Sequence, residues 1–155
     1  YELTDMAPTV VGRSLISGQA SGRVLHSTVG LSFWGGVNPL TGRVIDSHHP
    51  LHRESVAGRV LAIPNGRGSC TGSQVVLELL LADCAPAAIV LQHPDDIISL
   101  GVIVAEELFG RSLPVVSLGD AFDEVGAASY ALVEPDGVVR LGDSYEALGA
   151  AAAAA

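Results

Sequence analysis

The residues best suited to chemistry fall in one stretch, Pro64 to Ser73, reading PNGRGSCTGS. Gly66, Gly68 and Gly72 permit tight turns and close approach by a ligand. Ser69, Cys70, Thr71 and Ser73 bring hydroxyls and one thiol. Arg67 brings a guanidinium whose fork matches a carboxylate or a phosphate. The stretch follows an apolar strand pattern and opens an apolar helix pattern, so a helix N-terminus adds positive potential at the same spot. Such a loop can hold a small anionic substrate, with one hydroxyl acting as acid or base. Glycine and serine ahead of a helix are also ordinary turn and cap chemistry, and the residues alone leave both readings open. The loop is not a P-loop, because Gly-Lys-Ser/Thr is absent and the chain has no lysine. Its glycine spacing is not the dinucleotide fingerprint, and Gly-x-Ser-x-Gly is not matched around Ser69.

Other reactive side chains are less informative. His48, His49 and His52 cluster in DSHHPLHRE with Asp46 and Glu54 nearby. They could hold a metal, or they could belong to a polar loop framing a neighbouring site. His26 and His93 read as structural or surface residues, and Cys84 as packing near a helix end. Cys70 could be a reactive thiol, although no base is visible beside it. The acidic residues read as a solvated face.

The elements that must position the loop differ before and after it. Residues 1–60 read as strand and turn: Leu15 to Ser27, Leu31 to Trp34, Arg43 to Asp46, then the stronger Gly58 to Ile63. After residue 70 helices alternate with strands. Ser73 to Asp83 is a helix apolar almost all round, and Thr71 with Gln74 has capping-box spacing. Ser73 is expected to serve a turn or helix cap. Ala88 to Gln92 is a buried strand. Ile97, Leu100, Gly101, Val104 and Leu108 share one face of a second helix stopped by Gly110. Val115 to Leu118 is a strand, and Tyr130–Val133 with Val138–Leu141 brackets the hairpin signal Pro135-Asp136-Gly137. The order predicts an α/β fold in three layers, β/β/α, mixing parallel and antiparallel sheets.

Composition bounds the rest. The chain has 155 residues, 48% hydrophobic and 16% charged, which suits one domain and excludes disorder. Residues 1–149 read as that domain, with a low-complexity alanine tail at 150–155. Seventeen acidic residues against eight arginines give a net charge of -9, which excludes nucleic-acid duplexes and anionic membranes as partners. The longest apolar runs are broken by Glu78, Asp83, Glu106 and Glu107. No signal-peptide pattern follows Tyr1, and the absent initiator Met suggests a trimmed chain. The protein is expected to be soluble and cytoplasmic.

Four segments in order carry a family resemblance: LSFWGGVNPLTGRVIDSHHPL at 31–51, PNGRGSCTGSQVVLELLL at 64–81, APAAIVL at 85–91 and GVIVAEELFGRSLPVV at 101–116. Together they resemble the small subunit, or swivelling domain, of the aconitase X family. The resemblance implies a swivelling β/β/α domain that closes over a large subunit or domain carrying an iron–sulfur cluster. It implies a hydro-lyase acting on a hydroxylated anion, cis-3-hydroxy-L-proline in bacterial members or mevalonate 5-phosphate in archaeal ones. Of the two, the hydroxyproline is favoured, because arginine as the sole cationic side chain suits a GC-rich bacterial source. Family correspondence places the catalytic serine base on Ser69. Arg67, Gly68, Cys70 and Thr71 then line the substrate. Two cysteines cannot supply the three ligands such a cluster needs, so this chain is expected to bind none alone and to be incomplete as an enzyme. The competing reading is a stand-alone small-ligand domain reusing the fold.

Overall fold

Val60–Ile63 and Ala88–Leu91 are apolar at every position, and strands of that kind need cover on both faces. The computed structural model describes residues 8–68 and 70–148 and supplies that cover. Its strands are β1 Thr9–Val11, β2 Arg13–Ile16, β3 Ala20–His26, β4 Val60–Ile63, β5 Ala88–Leu91, β6 Val115–Ser117, β7 Tyr130–Val133 and β8 Val138–Gly142. Helix α1 spans Gly72–Leu81, α2 Asp96–Phe109 and the short α3 Phe122–Val125. None of the described helices is long and apolar enough to cross a membrane.

The strands form one mixed sheet in the order β1-β8-β7-β3-β4-β5-β6-β2. Strand β3 joins its halves. Ala20–Arg23 pair antiparallel with β7, and Val24–His26 pair parallel with β4. The ends of the order, β1 and β2, are separated only by Gly12, so the sheet folds over on itself. Side chains alternate across the parallel half. Val60, Ala62, Ala88 and Val90 face a core shared with Val10, Val133, Val139 and Phe122. Leu61, Ile63, Ile89 and Leu91 face a second core built with α1 and α2. The three layers are therefore antiparallel strands, parallel strands and helices, the predicted β/β/α arrangement.

Several expectations are corrected. Leu31–Trp34 and Arg43–Asp46 are not strands; they contribute only the single bridges Leu31↔Gly66, Val37↔Val44 and Arg43↔Ser55. Their apolar residues are explained by burial of Leu31, Phe33 and Val44 in the helix-side core. Helix α1 is not buried all round: Gln74 and Leu81 are exposed, because the helix lies in the outer layer. The inward face of α2 is Ile98, Gly101, Val102 and Ala105, whereas Leu100 and Leu108 point outward. Gly101 sets that rotation. A Cβ there would stand 2.6 Å from the Ser73 carbonyl oxygen, so the bare backbone faces α1. The Gly110 stop is as expected, in the left-handed conformation at φ 66°.

Candidate functional site

The loop from Pro64 to Thr71 leaves the C-terminal end of β4, and the segment Gln92–Asp95 leaves the same end of neighbouring β5. Ligand crevices in open α/β sheets form outside these strand ends. The two segments are tied directly. Asp95 caps α2 with Oδ1, which accepts from the Ile97 and Ile98 N–H groups, both at 3.0 Å. Its Oδ2 accepts from the Gly66 N–H at 2.9 Å. Glycine is needed at 66, since a Cβ would lie 2.9 Å from that carboxylate oxygen.

A third segment closes the group. Leu31 N–H donates to the Asn65 carbonyl, and Arg67 N–H donates to the Leu31 carbonyl, both at 3.2 Å. This parallel bridge lays Gly30–Phe33 alongside the loop. Gly30 makes room for the Arg67 stem, because a Cβ there would meet its Cγ at 2.9 Å. Phe33, Gly66, Arg67, Gly68, Gly72, Asp95, Ile97 and Ile98 line a narrow cleft of about 20 Å³.

Arg67 is exposed, and its guanidinium makes no ion pair among the described residues. Gly68 has φ 99°, a conformation open to glycine, beside the Ser32 hydroxyl. Cys70 is a free, exposed thiol. Thr71 is half-buried and stands at the N-cap of α1. It is not a capping-box residue: its backbone is already helical and its side chain makes no cap bond. Ser73 is not a cap either; its hydroxyl donates to the Ile97 carbonyl at 2.7 Å and so ties α1 to α2. Ser69 lies outside the described residues.

Sequence reasoning missed two participants, Ser32 and Asp95. The acidic residues read from sequence as a solvated face, yet Asp95 is half-buried and bonded to two segments. The available signal was local: an aspartate just before an apolar-periodic helix is an N-cap. Its second partner lies 29 residues away and left no trace in the pattern.

His49 is buried and bound on both nitrogens. Nδ1 accepts from the Leu51 N–H at 3.0 Å, which leaves Nε2–H to donate toward the Val29 and Gly30 carbonyls at 3.2 and 3.1 Å. It braces the segment beside the site and has no lone pair left for a metal. Nor do the cysteines fit an iron–sulfur cluster. Cys70 precedes α1 and buried Cys84 follows it, so about 15 Å of helix separates them. Burial raises the Cys84 thiol pKa, with Asp83 adding to the effect.

A larger cavity of about 370 Å³ opens between β1, β8 and α3. Its charged lining residues, Glu124 and Asp143, are both acidic and would repel an anion. The narrow cleft sets Arg67 against Asp95, whose carboxylate is already engaged by three backbone N–H groups, and is the better anion site despite its size.

Comparison with known proteins gives a consistent picture. Residues 9–141 match the family model described as the aconitase X swivel domain. A cis-3-hydroxy-L-proline dehydratase of Pseudomonas aeruginosa is 59% identical over 125 residues, covering 81% of this chain and 22% of that protein. A phosphomevalonate dehydratase small subunit of Methanothermobacter thermautotrophicus is 50% identical over 93 residues, covering 60% of this chain and 71% of that one. The crystal structure of Thermococcus kodakaraensis aconitase X in its holo-form superposes with a TM-score of 0.77 at 32% identity, over 86% of this chain and 98% of that chain. The chain spans about a fifth of the length of the hydroxyproline dehydratases it matches.

Proposed function

The chain belongs to the aconitase X swivel-domain family, and on that premise we propose that it is the swivelling part of a hydro-lyase that dehydrates cis-3-hydroxy-L-proline. Residues 1–149 form the swivelling unit. It acts with a large subunit or domain, and the active site is the cleft between them. The large part would carry the iron–sulfur cluster, which would supply Lewis acidity to the departing hydroxyl. This chain supplies the base. Ser69 takes the proton from the carbon beside the substrate carboxylate. The hydroxyl leaves from the neighbouring carbon, toward the large part.

The observation that carries this reading is the exposed Arg67 guanidinium at the strand ends, without an ion pair among the described residues, beside the N-terminus of α1, where the Thr71 side chain makes no cap bond. Both stabilise an anion. A serine needs such a setting, because its alkoxide is otherwise far too costly at neutral pH. Gly68, Cys70 and Thr71 bracket Ser69 in the chain and line the substrate with it. Trp34 follows the cleft-lining Phe33 in the chain, and its 59% accessibility suits a docked large part. Higher identity to the hydroxyproline enzyme than to the phosphomevalonate subunit favours the amino acid as substrate. The protein works in the cytoplasm.

The test is the assembled enzyme, this chain with its large part, assayed on cis-3-hydroxy-L-proline and on mevalonate 5-phosphate. Turnover of the first is expected. Turnover of the phosphate alone would reassign the substrate, and a stable monomer with its own ligand would favour a stand-alone binding domain. Ser69→Ala should lower turnover by a factor on the order of 10² or more while leaving assembly intact. Normal turnover by that variant would remove Ser69 from the chemistry.

A further inference from the structure

Asp95 belongs to a different loop from the proposed base, and nothing about its position in the sequence connects the two. Its carboxylate nevertheless accepts from three backbone N–H groups in two segments: Ile97 and Ile98 at the start of α2, and Gly66 at the root of the loop carrying Ser69. Capping α2 would need only one of the two oxygens. The second is committed to Gly66, and the sequence gives up a side chain at 66 to let it approach. The same peptide region is bridged to Leu31 on its other side. The Ser73 hydroxyl on Ile97 then fixes the start of α1 to the start of α2. The loop between Gly66 and α1 is thus anchored at both ends to the first turn of α2, and Asp95 is the charged anchor at its near end.

We propose that Asp95 is the positioning residue for Ser69, locking the Gly66 peptide to the α2 N-terminus and so setting where the base meets substrate. The proposal rests on the reading of Ser69 as base. Asp95 itself touches neither substrate nor reacting atoms. Its effect is geometric, and a small displacement of a reacting group lowers the rate far more than it weakens substrate binding.

Asp95→Asn separates the two jobs of the carboxylate. Asparagine caps a helix about as well as aspartate, so the α2 bonds survive through its carbonyl oxygen. Its amide nitrogen is a donor and cannot accept from the Gly66 N–H. Asp95→Ser is the second variant: serine also caps, and its single oxygen cannot serve both segments. In the assembled enzyme each should retain its melting temperature to within a few degrees. Each should lose on the order of 10- to 100-fold in kcat, with KM within about threefold of wild type. In a Ser69→Ala background, Asp95→Asn should cost less than about threefold more, because no base remains to be positioned. Wild-type kcat for both Asp95 variants beside an inactive Ser69→Ala would overturn the proposal and leave Ser69 standing. Full multiplicative loss in the double variant would overturn it as well, by showing that Asp95 acts elsewhere. Normal turnover by Ser69→Ala would remove the base, and the positioning role with it.

Discussion

His26 ends β3 with its ring against Phe122, the centroids 5.3 Å apart, and its Nε2 is buried without a hydrogen-bond partner among the described residues. Burial holds its pKa below the ordinary 6.5, against a weaker upward pull from Asp123. A depressed folded-state pKa means that the unfolded chain takes up the proton first. Stability is therefore whole above the unfolded value near 6.5, and it is lost as pH falls from there through the folded pKa. Urea unfolding at about pH 7.5 and about pH 5 should show a larger loss for wild type than for His26→Gln. Equal losses would mean that the half-buried ring does not feel its surroundings. At this scale the candidate site was half legible. Glycines, hydroxyls and an arginine within a few positions announce a loop that can hold an anion, because turn and charge chemistry are local. The roles of Asp95 and His49 were hidden, because each is set by backbone groups of a segment far along the chain.

The packing of α1 on α2 depends on Gly101, where a Cβ would stand 2.6 Å from the Ser73 carbonyl oxygen and 3.0 Å from Val76 Cβ. Alanine is the better helix former by about 1 kcal/mol. Overpacking at a close crossing costs about 1–3 kcal/mol, so the balance favours glycine. Gly101→Ala should lower the urea midpoint with an unchanged slope, and a raised midpoint would show that the helices separate freely. The strands β4, β5, β7 and β8 were readable from sequence, since twofold burial or a Pro-Asp-Gly turn leaves an unambiguous pattern. The segments at 31–34 and 43–46 misled, because apolar side chains under a helix layer look the same as those of a strand. The face of α2 misled for a related reason. Leu100 and Leu108 are apolar but outward, and periodicity counts them as core.

For the molecule as a whole, the separation of Cys70 from Cys84 leads to a direct expectation. Anaerobic reconstitution of the isolated chain with iron and sulfide should yield no stoichiometric cluster, whereas the assembled enzyme should hold one. Iron and sulfide analysis of each decides the matter, and a full cluster on this chain alone would refute the division of labour proposed above. The layered α/β architecture was legible because its alternation of elements is written along the chain. The closure of the sheet was not. It depends on β1 meeting β8 through Thr9↔Arg140 and β2 meeting β6 through Arg13↔Ser117, pairings that no local pattern encodes. That closure also governs the order of events during synthesis. Strands β1 and β2 precede their partners by a long stretch of chain and are among the last to be paired, β2 waiting for Val115–Ser117 and β1 for Val138–Arg140. Until then the growing chain carries two unpaired strands, and their protection from wrong neighbours rests on the speed of translation and on chaperones.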